Sequence, residues 1–162
     1  MIRNGRLVQQ VVFDTSRDDL FRWFTEAERL ASWTGLAARV EPRPGGSFSC
    51  VLTEGNVWEG VVVEIEPPNR LVVTLGWRNP AMGMPPGMSL VEWDFALDAR
   101  GSRLRMRHQH VPTELQALVN KTWARLYARL RNLLNGRPAG PHPLDDLLPT
   151  VEAEPGSERP AG

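Results

Sequence analysis

The chain has 162 residues with nineteen basic and nineteen acidic side chains, so its formal charge at neutral pH is zero. A length close to ~150 residues corresponds to one domain, and a balanced charge lacks the broad basic footprint that phosphate-backbone binding needs, which argues against nucleic acid as a partner. The single cysteine, Cys50, permits neither an intramolecular disulfide nor a cysteine-based zinc site, and no apolar run approaches the ~20 residues of a membrane span. Residues 1–6 are not followed by an apolar leader-like stretch, and the expectation is a cytoplasmic protein.

The predicted elements begin with a strand over 8–13. Ser16, three residues before Asp19, then offers a helix N-cap, and Leu20, Phe21 and Phe24 follow at helical spacing. A second short helix ends near Trp33. Strands follow over 37–41, 47–53, 57–66 and 70–77, separated by the turn signals Pro44-Gly45-Gly46, Glu54-Gly55-Asn56 and Pro67-Pro68-Asn69. Strands over 88–97 and 102–110 complete a set of seven. Their short connections make the sheet antiparallel. The clearest element comes last. Thr113 is placed to cap a helix with Gln116 as its partner, and Leu115, Leu118, Val119, Trp123, Leu126, Tyr127, Leu130, Leu133 and Leu134 mark one face of a helix about 30 Å long. Asn135-Gly136 supplies the stop. From Gly136 onward six of twenty-seven residues are proline and four are glycine, with no aromatic residue. The expected organisation is one domain over 1–136 and a disordered tail over 137–162, in which Leu144-Asp145-Asp146-Leu147-Leu148 is the apolar island. A chain ending at Pro138 is then expected to melt within a few degrees of the full chain.

Alternation assigns the inward face. Leu71, Val73, Leu75 and Trp77 share it on one strand, and Phe48, Cys50 and Leu52 on another. On the last hairpin Val91, Trp93, Phe95 and Leu97 face inward opposite Leu104, Met106, His108 and His110, while Arg103, Arg105 and Arg107 face solvent beside Glu92 and Asp94. A register that pairs Asp98 with Arg103 puts Trp93 opposite His108. Val61-Val62-Val63 is apolar on both faces, which leaves Trp58 and Glu59 unassigned.

Several segments carry a resemblance. Leu30-Ala31-Ser32-Trp33, Arg43-Pro44-Gly45-Gly46-Ser47-Phe48, the hairpin Gly60-Val61-Val62-Val63-Glu64-Ile65-Glu66-Pro67-Pro68-Asn69-Arg70-Leu71, Arg103-Leu104-Arg105-Met106-Arg107-His108 and the helical Trp123 occur in this order over about residues 7–136. They resemble the SRPBCC (START-like) superfamily, and within it the family named for the activator of the ninety-kilodalton heat-shock-protein ATPase. The resemblance implies an α+β helix-grip fold, with a curved seven-stranded antiparallel sheet wrapped around the long C-terminal helix and two short helices after strand 1. It also implies a cavity between sheet and helix for a small hydrophobic molecule. Thr122 departs from the family pattern, where a glycine precedes the tryptophan.

Function divides into three readings. The first is a non-catalytic module binding a small hydrophobic or aromatic ligand, with Trp33, Phe48, Trp77, Trp93, Phe95, Met106, His108, Trp123 and Tyr127 as pocket candidates and Met82 and Met84 as lid candidates. The second is a cyclase- or lyase-like enzyme with His108 and Tyr127 as acid–base groups. The third is a protein–protein, chaperone-associated module. The rings serve equally as packed core, and His108 as a satisfied structural histidine. No catalytic set, cofactor motif or metal site is expected. His108-x-His110-x-x-x-Glu114 resembles a metal motif of cupins, but Pro112-Thr113 starts a helix that carries Glu114 away, and His142 is far along the chain. Cys50 is read as a small buried hydrophobe.

Overall fold

In the computed structural model, which describes residues 2, 3 and 5–147, one antiparallel sheet holds eight strands in the order β1-β2-β8-β7-β6-β5-β4-β3. The strands are β1 (Ile2–Arg3), β2 (Arg6–Phe13), β3 (Ala37–Val40), β4 (Ser47–Thr53), β5 (Asn56–Glu66), β6 (Arg70–Trp77), β7 (Ser89–Asp98) and β8 (Gly101–Gln109). The seven expected strands are all present, and the two-residue β1 extends the sheet at its edge. Helices α1 (Arg17–Thr25) and α2 (Ala27–Thr34) follow β2, and α3 (Thr113–Leu134) follows β8. At 1.5 Å per residue, the 22 residues of α3 span about 33 Å. Its buried residues Val119, Thr122, Trp123, Leu126, Tyr127 and Leu130 form the face that closes over the sheet, giving the α+β helix-grip architecture.

Local chemistry explains the boundaries. The Ser16 hydroxyl accepts the Asp19 backbone N–H at 3.1 Å, which caps α1 as the sequence predicts. Thr113 does not cap α3. It is the first helical residue, Pro112 occupies the cap position without a side-chain bond, and the Gln116 amide donates instead to the Val111 carbonyl at 3.1 Å. Gly136, at φ 74°, takes the left-handed stop that a side chain would resist. Thr122 is buried with its hydroxyl turned back onto the Leu118 carbonyl at 2.7 Å, so the residue that replaces the family glycine satisfies itself within the helix.

The last hairpin differs in register from the expectation. Asp98 pairs with Gly101, not Arg103, so Trp93 lies opposite Met106 and His108 opposite Val91. A two-residue turn, Ala99-Arg100, closes the hairpin, with the Asp98 carboxylate accepting the Arg100 N–H and Gly101 at φ 132°. The shift is two residues, an even number, so every side chain keeps its predicted face. Leu97 and His110 are the exceptions to burial: Leu97, next to the hairpin turn, is 69% exposed, and His110, just past the end of β8, is exposed as well. On the outer face Arg107 bridges Glu92 and Asp94, on the side alternation predicts, and Arg70, which the sequence reading did not place there, meets Glu64, Glu92 and Asp94 in partly buried ion pairs.

The segment after Gly136, assigned by composition to a tail, packs on the domain as far as Leu147. Helix α4 (Leu144–Leu147) buries Leu144 in the main core, and the His142 ring bonds the Thr34 carbonyl at 2.8 Å. The Asn132 amide donates to the Ala139 carbonyl at 3.2 Å, and the Arg129 guanidinium donates to the Gly140 carbonyl. Specific polar bonds and one leucine outweigh the proline-rich composition. Residues 148–162, including Leu148 of the apolar island, lie outside the described residues. A chain ending at Pro138 loses the buried leucine, about 2 kcal/mol. At roughly 2–4 °C per kcal/mol for this size, its midpoint is expected to fall by about 4–8 °C in a thermal melt. A midpoint within about 1 °C of the full chain would show that the segment rests on the domain without stabilising it.

Candidate functional site

The nine pocket candidates come together. Trp33, Phe48, Trp77, Trp93, Phe95, Met106, His108, Trp123 and Tyr127 are all buried in one hydrophobic cluster or against it. Their rings touch in sequence across the elements. Trp123 stacks on Tyr127 one helical turn away, with centroids 5.5 Å apart, and meets the edge of Trp93 at 5.6 Å. Trp33 of α2 lies 5.8 Å from Tyr127, and Phe24 of α1 bridges Trp33, Trp93 and Phe95 at 5.0–5.2 Å. The space between sheet and helix is therefore occupied by rings. Three clefts of about 530, 510 and 260 Å³ open elsewhere on the surface, and of the nine candidates only Phe48 touches any of these three.

Inside this cluster runs a chain of hydrogen bonds whose direction is fixed by its first donor. An indole N–H can only donate, and that of Trp123 donates to His108 Nδ1 at 3.0 Å. Nδ1 is thus unprotonated, Nε2 carries the hydrogen and donates to the Ser89 hydroxyl at 2.8 Å, and Ser89 donates to the Leu75 carbonyl at 2.5 Å. Burial without a charged neighbour pushes the His108 pKa down to about 3. A second short chain runs from Trp93 Nε1 to the Tyr127 hydroxyl at 3.0 Å and from that hydroxyl to the Met106 sulfur at 2.8 Å. Burial raises the Tyr127 pKa well above the ordinary phenol value. Cys50 is buried and its thiol is pushed up to about 12, so it is an inert core residue. His110 and Glu114 are both exposed, and among the described residues no three of His, Cys, Asp or Glu gather as a metal-holding group.

Four of the six indole N–H groups find acceptors. Trp23 donates to Asp19 and Trp33 to the Trp23 carbonyl, besides the two bonds above. Trp58 and Trp77, both buried, have no acceptor for theirs among the described residues. These two are cross-strand partners on β5 and β6 with centroids 5.5 Å apart. They sit at the root of the loop 78–88. The Trp77 backbone N–H donates to the Met84 carbonyl at 2.6 Å and the Arg78 N–H to the Val57 carbonyl at 2.9 Å. Met84 is fully buried in the core cluster, whereas Met82 packs only partly against it. The loop lies so close to β6 that a Cβ at Gly76 would collide with the Pro85 carbonyl.

A family model described as "Activator of Hsp90 ATPase homolog 1-like protein" matches residues 14–135, three quarters of the chain. The chain belongs to that family. No curated protein matches it. Among solved structures, protein MLL2253 from Mesorhizobium loti is similar with 19% identity and a TM-score of 0.71, over 81% of this chain and 97% of that one. DynU16, from the dynemicin biosynthetic locus, aligns with 21% identity and a TM-score of 0.72 over 85% of this chain, which spans half the length of DynU16. The Aha1 dimer from Colwellia psychrerythraea aligns with 15% identity and a TM-score of 0.68, over 80% of this chain and 95% of that one. At these identities the likeness shows the fold. Among the described residues no helix is long and apolar enough to cross a membrane.

Sequence reasoning missed Trp58 in this family member. Val57 and Trp58 are buried in succession, and Val61-Val62-Val63 is apolar at every position, so alternation alone does not say which parity of β5 faces inward; the structure buries Val62, of the same parity as Trp58. The pairing of Trp58 with Trp77, inward by alternation, is the signal that would have placed it. The His108 geometry has a consequence in solution. Its pKa is near 6.5 in the unfolded chain and about 3 when folded, so between these values the unfolded state binds more protons. The stability it contributes is complete above pH ~6.5 and is lost as pH falls toward the folded value, by about 1.4 kcal/mol per pH unit. His108→Gln retains one acceptor and one donor without titrating. Between pH 6.5 and 4.5 the wild type is expected to lose stability more steeply than H108Q by about that slope in urea melts, and parallel curves would show that His108 titrates normally in the fold.

Proposed function

We propose that this protein is a non-catalytic binding module for a small hydrophobic or aromatic molecule, held between the sheet and α3 beneath the loop 78–88. The observation that carries this reading is Met84. A fully buried side chain normally sits on a helix or strand, but Met84 is supplied by a proline- and glycine-rich loop outside the sheet ladder. Methionine is pliable and fills irregular space, and its withdrawal breaks loop contacts without breaking a strand pair. The bonds at risk are those of the loop's root, from Trp77 to Met84 and from Arg78 to Val57, together with the Arg78–Glu59 ion pair at 2.7 Å.

The enzymatic alternative finds less support in the same groups. A general acid or base must have a free proton site near the working pH. Both nitrogens of His108 are engaged and its pKa is far below neutrality, while the Tyr127 hydroxyl both accepts and donates inside the core and its pKa is raised.

Titration with naphthalene or a medium-chain fatty-acyl methyl ester tests the reading. Tryptophan emission is expected to change saturably, and amide exchange at the loop root, Trp77 and Arg78, to speed at saturation as these bonds open. Gly76→Ala, which forces the loop away from β6, is expected to speed exchange there and to raise the association rate while the protein keeps a cooperative melt. A folded wild type that shows no saturable change with either probe would sink the binding reading and leave Met84 as a piece of core.

A further inference from the structure

The unpaired donors on β5 and β6 say what kind of molecule the site takes. Buried polar groups in folded proteins are overwhelmingly hydrogen-bonded, and an indole nitrogen has no second role in which it could be satisfied as an acceptor. The core of this chain follows the rule closely. Trp33, Trp93 and Trp123 are buried and bonded, and the His108 and Tyr127 side chains use every polar atom they have. Trp58 and Trp77 break it together, as direct cross-strand neighbours whose rings are 5.5 Å apart. The Ser102 hydroxyl is also unpaired, but it stands alone where β8 meets β2 opposite Phe13. Two donors left over side by side, at the root of the loop that buries Met84 in the core, form a site in waiting.

Resting on the binding reading above, we infer that the ligand is a ring or chain hydrocarbon bearing carbonyl or ether oxygens, and that it is held by the Trp58 and Trp77 indole N–H groups in the place Met84 vacates. The surroundings select for a neutral acceptor. The rings around the pair, Trp123 at 4.9 Å from Trp58 among them, are apolar. Among the described residues no arginine or lysine is buried to offset a carboxylate, and Arg78, at the loop root, is turned to solvent and paired with Glu59. A thioether is a weak acceptor, and the buried Met84, whose carbonyl accepts the Trp77 backbone N–H, leaves both indole donors unpaired. An oxygen-bearing ligand in its place pairs them.

The test compares tetralin with α-tetralone, bicyclic molecules of the same outline that differ by one carbonyl. Binding is followed by two-dimensional NMR of the indole N–H resonances, assigned by triple-resonance methods. The ketone is expected to bind about fivefold or more tightly than the hydrocarbon, although it is the more soluble in water. It is also expected to move the Trp58 and Trp77 resonances downfield while those of Trp93 and Trp123 stay in place. Trp58→Phe and Trp77→Phe keep a ring and remove one donor each, and in each variant the preference is expected to shrink or reverse. If neither compound binds the folded wild type, the binding reading itself fails. If both bind with equal affinity, the site binds hydrocarbons and the assignment of an oxygen-bearing ligand is overturned. A ketone preference without movement of the two indole resonances also overturns it, because the carbonyl is then met elsewhere. Where a Trp→Phe variant does not melt cooperatively, the wild-type resonances decide.

Discussion

The proton on the Trp123 indole has to go somewhere, and the His108 ring is where it goes. That one bond ties α3 to β8, and the direction it imposes passes through Ser89 of β7 to the backbone of β6. A helix lying on a sheet through apolar contacts alone can slide or rotate at little cost, because hydrophobic contact is non-directional. Here the rotation of α3 is set by a donor that must meet a particular nitrogen, in a medium where an unmet bond is expensive. The stacked Tyr127, one turn further along, repeats the device by accepting from Trp93. Two tryptophans, one on the helix and one on the sheet, thereby lock the two layers in one arrangement. The same bonds take His108 and Tyr127 out of acid–base service, so the feature that gives the fold its definition also removes the obvious catalytic groups.

Much of this architecture was legible because alternation and helical periodicity are local. The inward sets on β4, β6 and β8 and the buried face of α3 follow from spacing, and they survive even where the hairpin register was misjudged. A shift of two residues moves Trp93 from His108 to Met106 without turning either side chain to solvent. What local pattern cannot supply is the turn itself. Whether Asp98 pairs with Gly101 or Arg103 depends on a two-residue turn closed by a carboxylate–amide bond, and that preference is small beside the hydrophobic signal of the strands. Thr113 failed as a cap for a similar reason. Pro112 already sets the backbone at the helix entry, and a threonine one residue later falls inside the first turn.

The residues that escaped sequence reasoning are those whose partners are distant or whose pattern is interrupted. On β5 three successive valines, Val61 to Val63, are apolar on both faces, so the pattern does not mark the parity on which the face of Trp58 depends. The segment 139–147 reads as a loose tail by composition, yet its anchor is chemical. The last carbonyls of α2 have no partners within the helix, and His142 donates to that of Thr34 while Arg129 donates to that of Trp33. A helix end buried against α3 needs such donors, and the chain supplies one from each side. That the nine ring-bearing and polar candidates share one interior was readable. That their rings pack directly on one another, Trp123 on Tyr127 and Trp93, and Phe24 on Trp33, was not, since ring packing depends on the curvature of the sheet.

A filled interior changes what binding must overcome. A ligand burying ~200 Å² of apolar surface gains about 5 kcal/mol at ~25 cal/mol per Å². Displacing Met84 gives back roughly 2–3 kcal/mol of that, and the loss of translational and rotational freedom consumes at least ~4 kcal/mol. A pure hydrocarbon is left near balance. The unmet indole protons alter the sum, because each buried donor without a partner costs about 1–3 kcal/mol in the free protein, and a ligand oxygen relieves a cost already present. Under the proposed reading Trp58 and Trp77 act less as added attraction than as a cost carried by the unliganded state. That cost would sit beside the loop whose opening the proposal requires, on the two strands to which the loop is rooted through Val57 and Trp77. Selectivity for an oxygen-bearing ligand and readiness to open would then have the same origin: a closed state that leaves two donors unpaired is the state such a ligand most easily displaces.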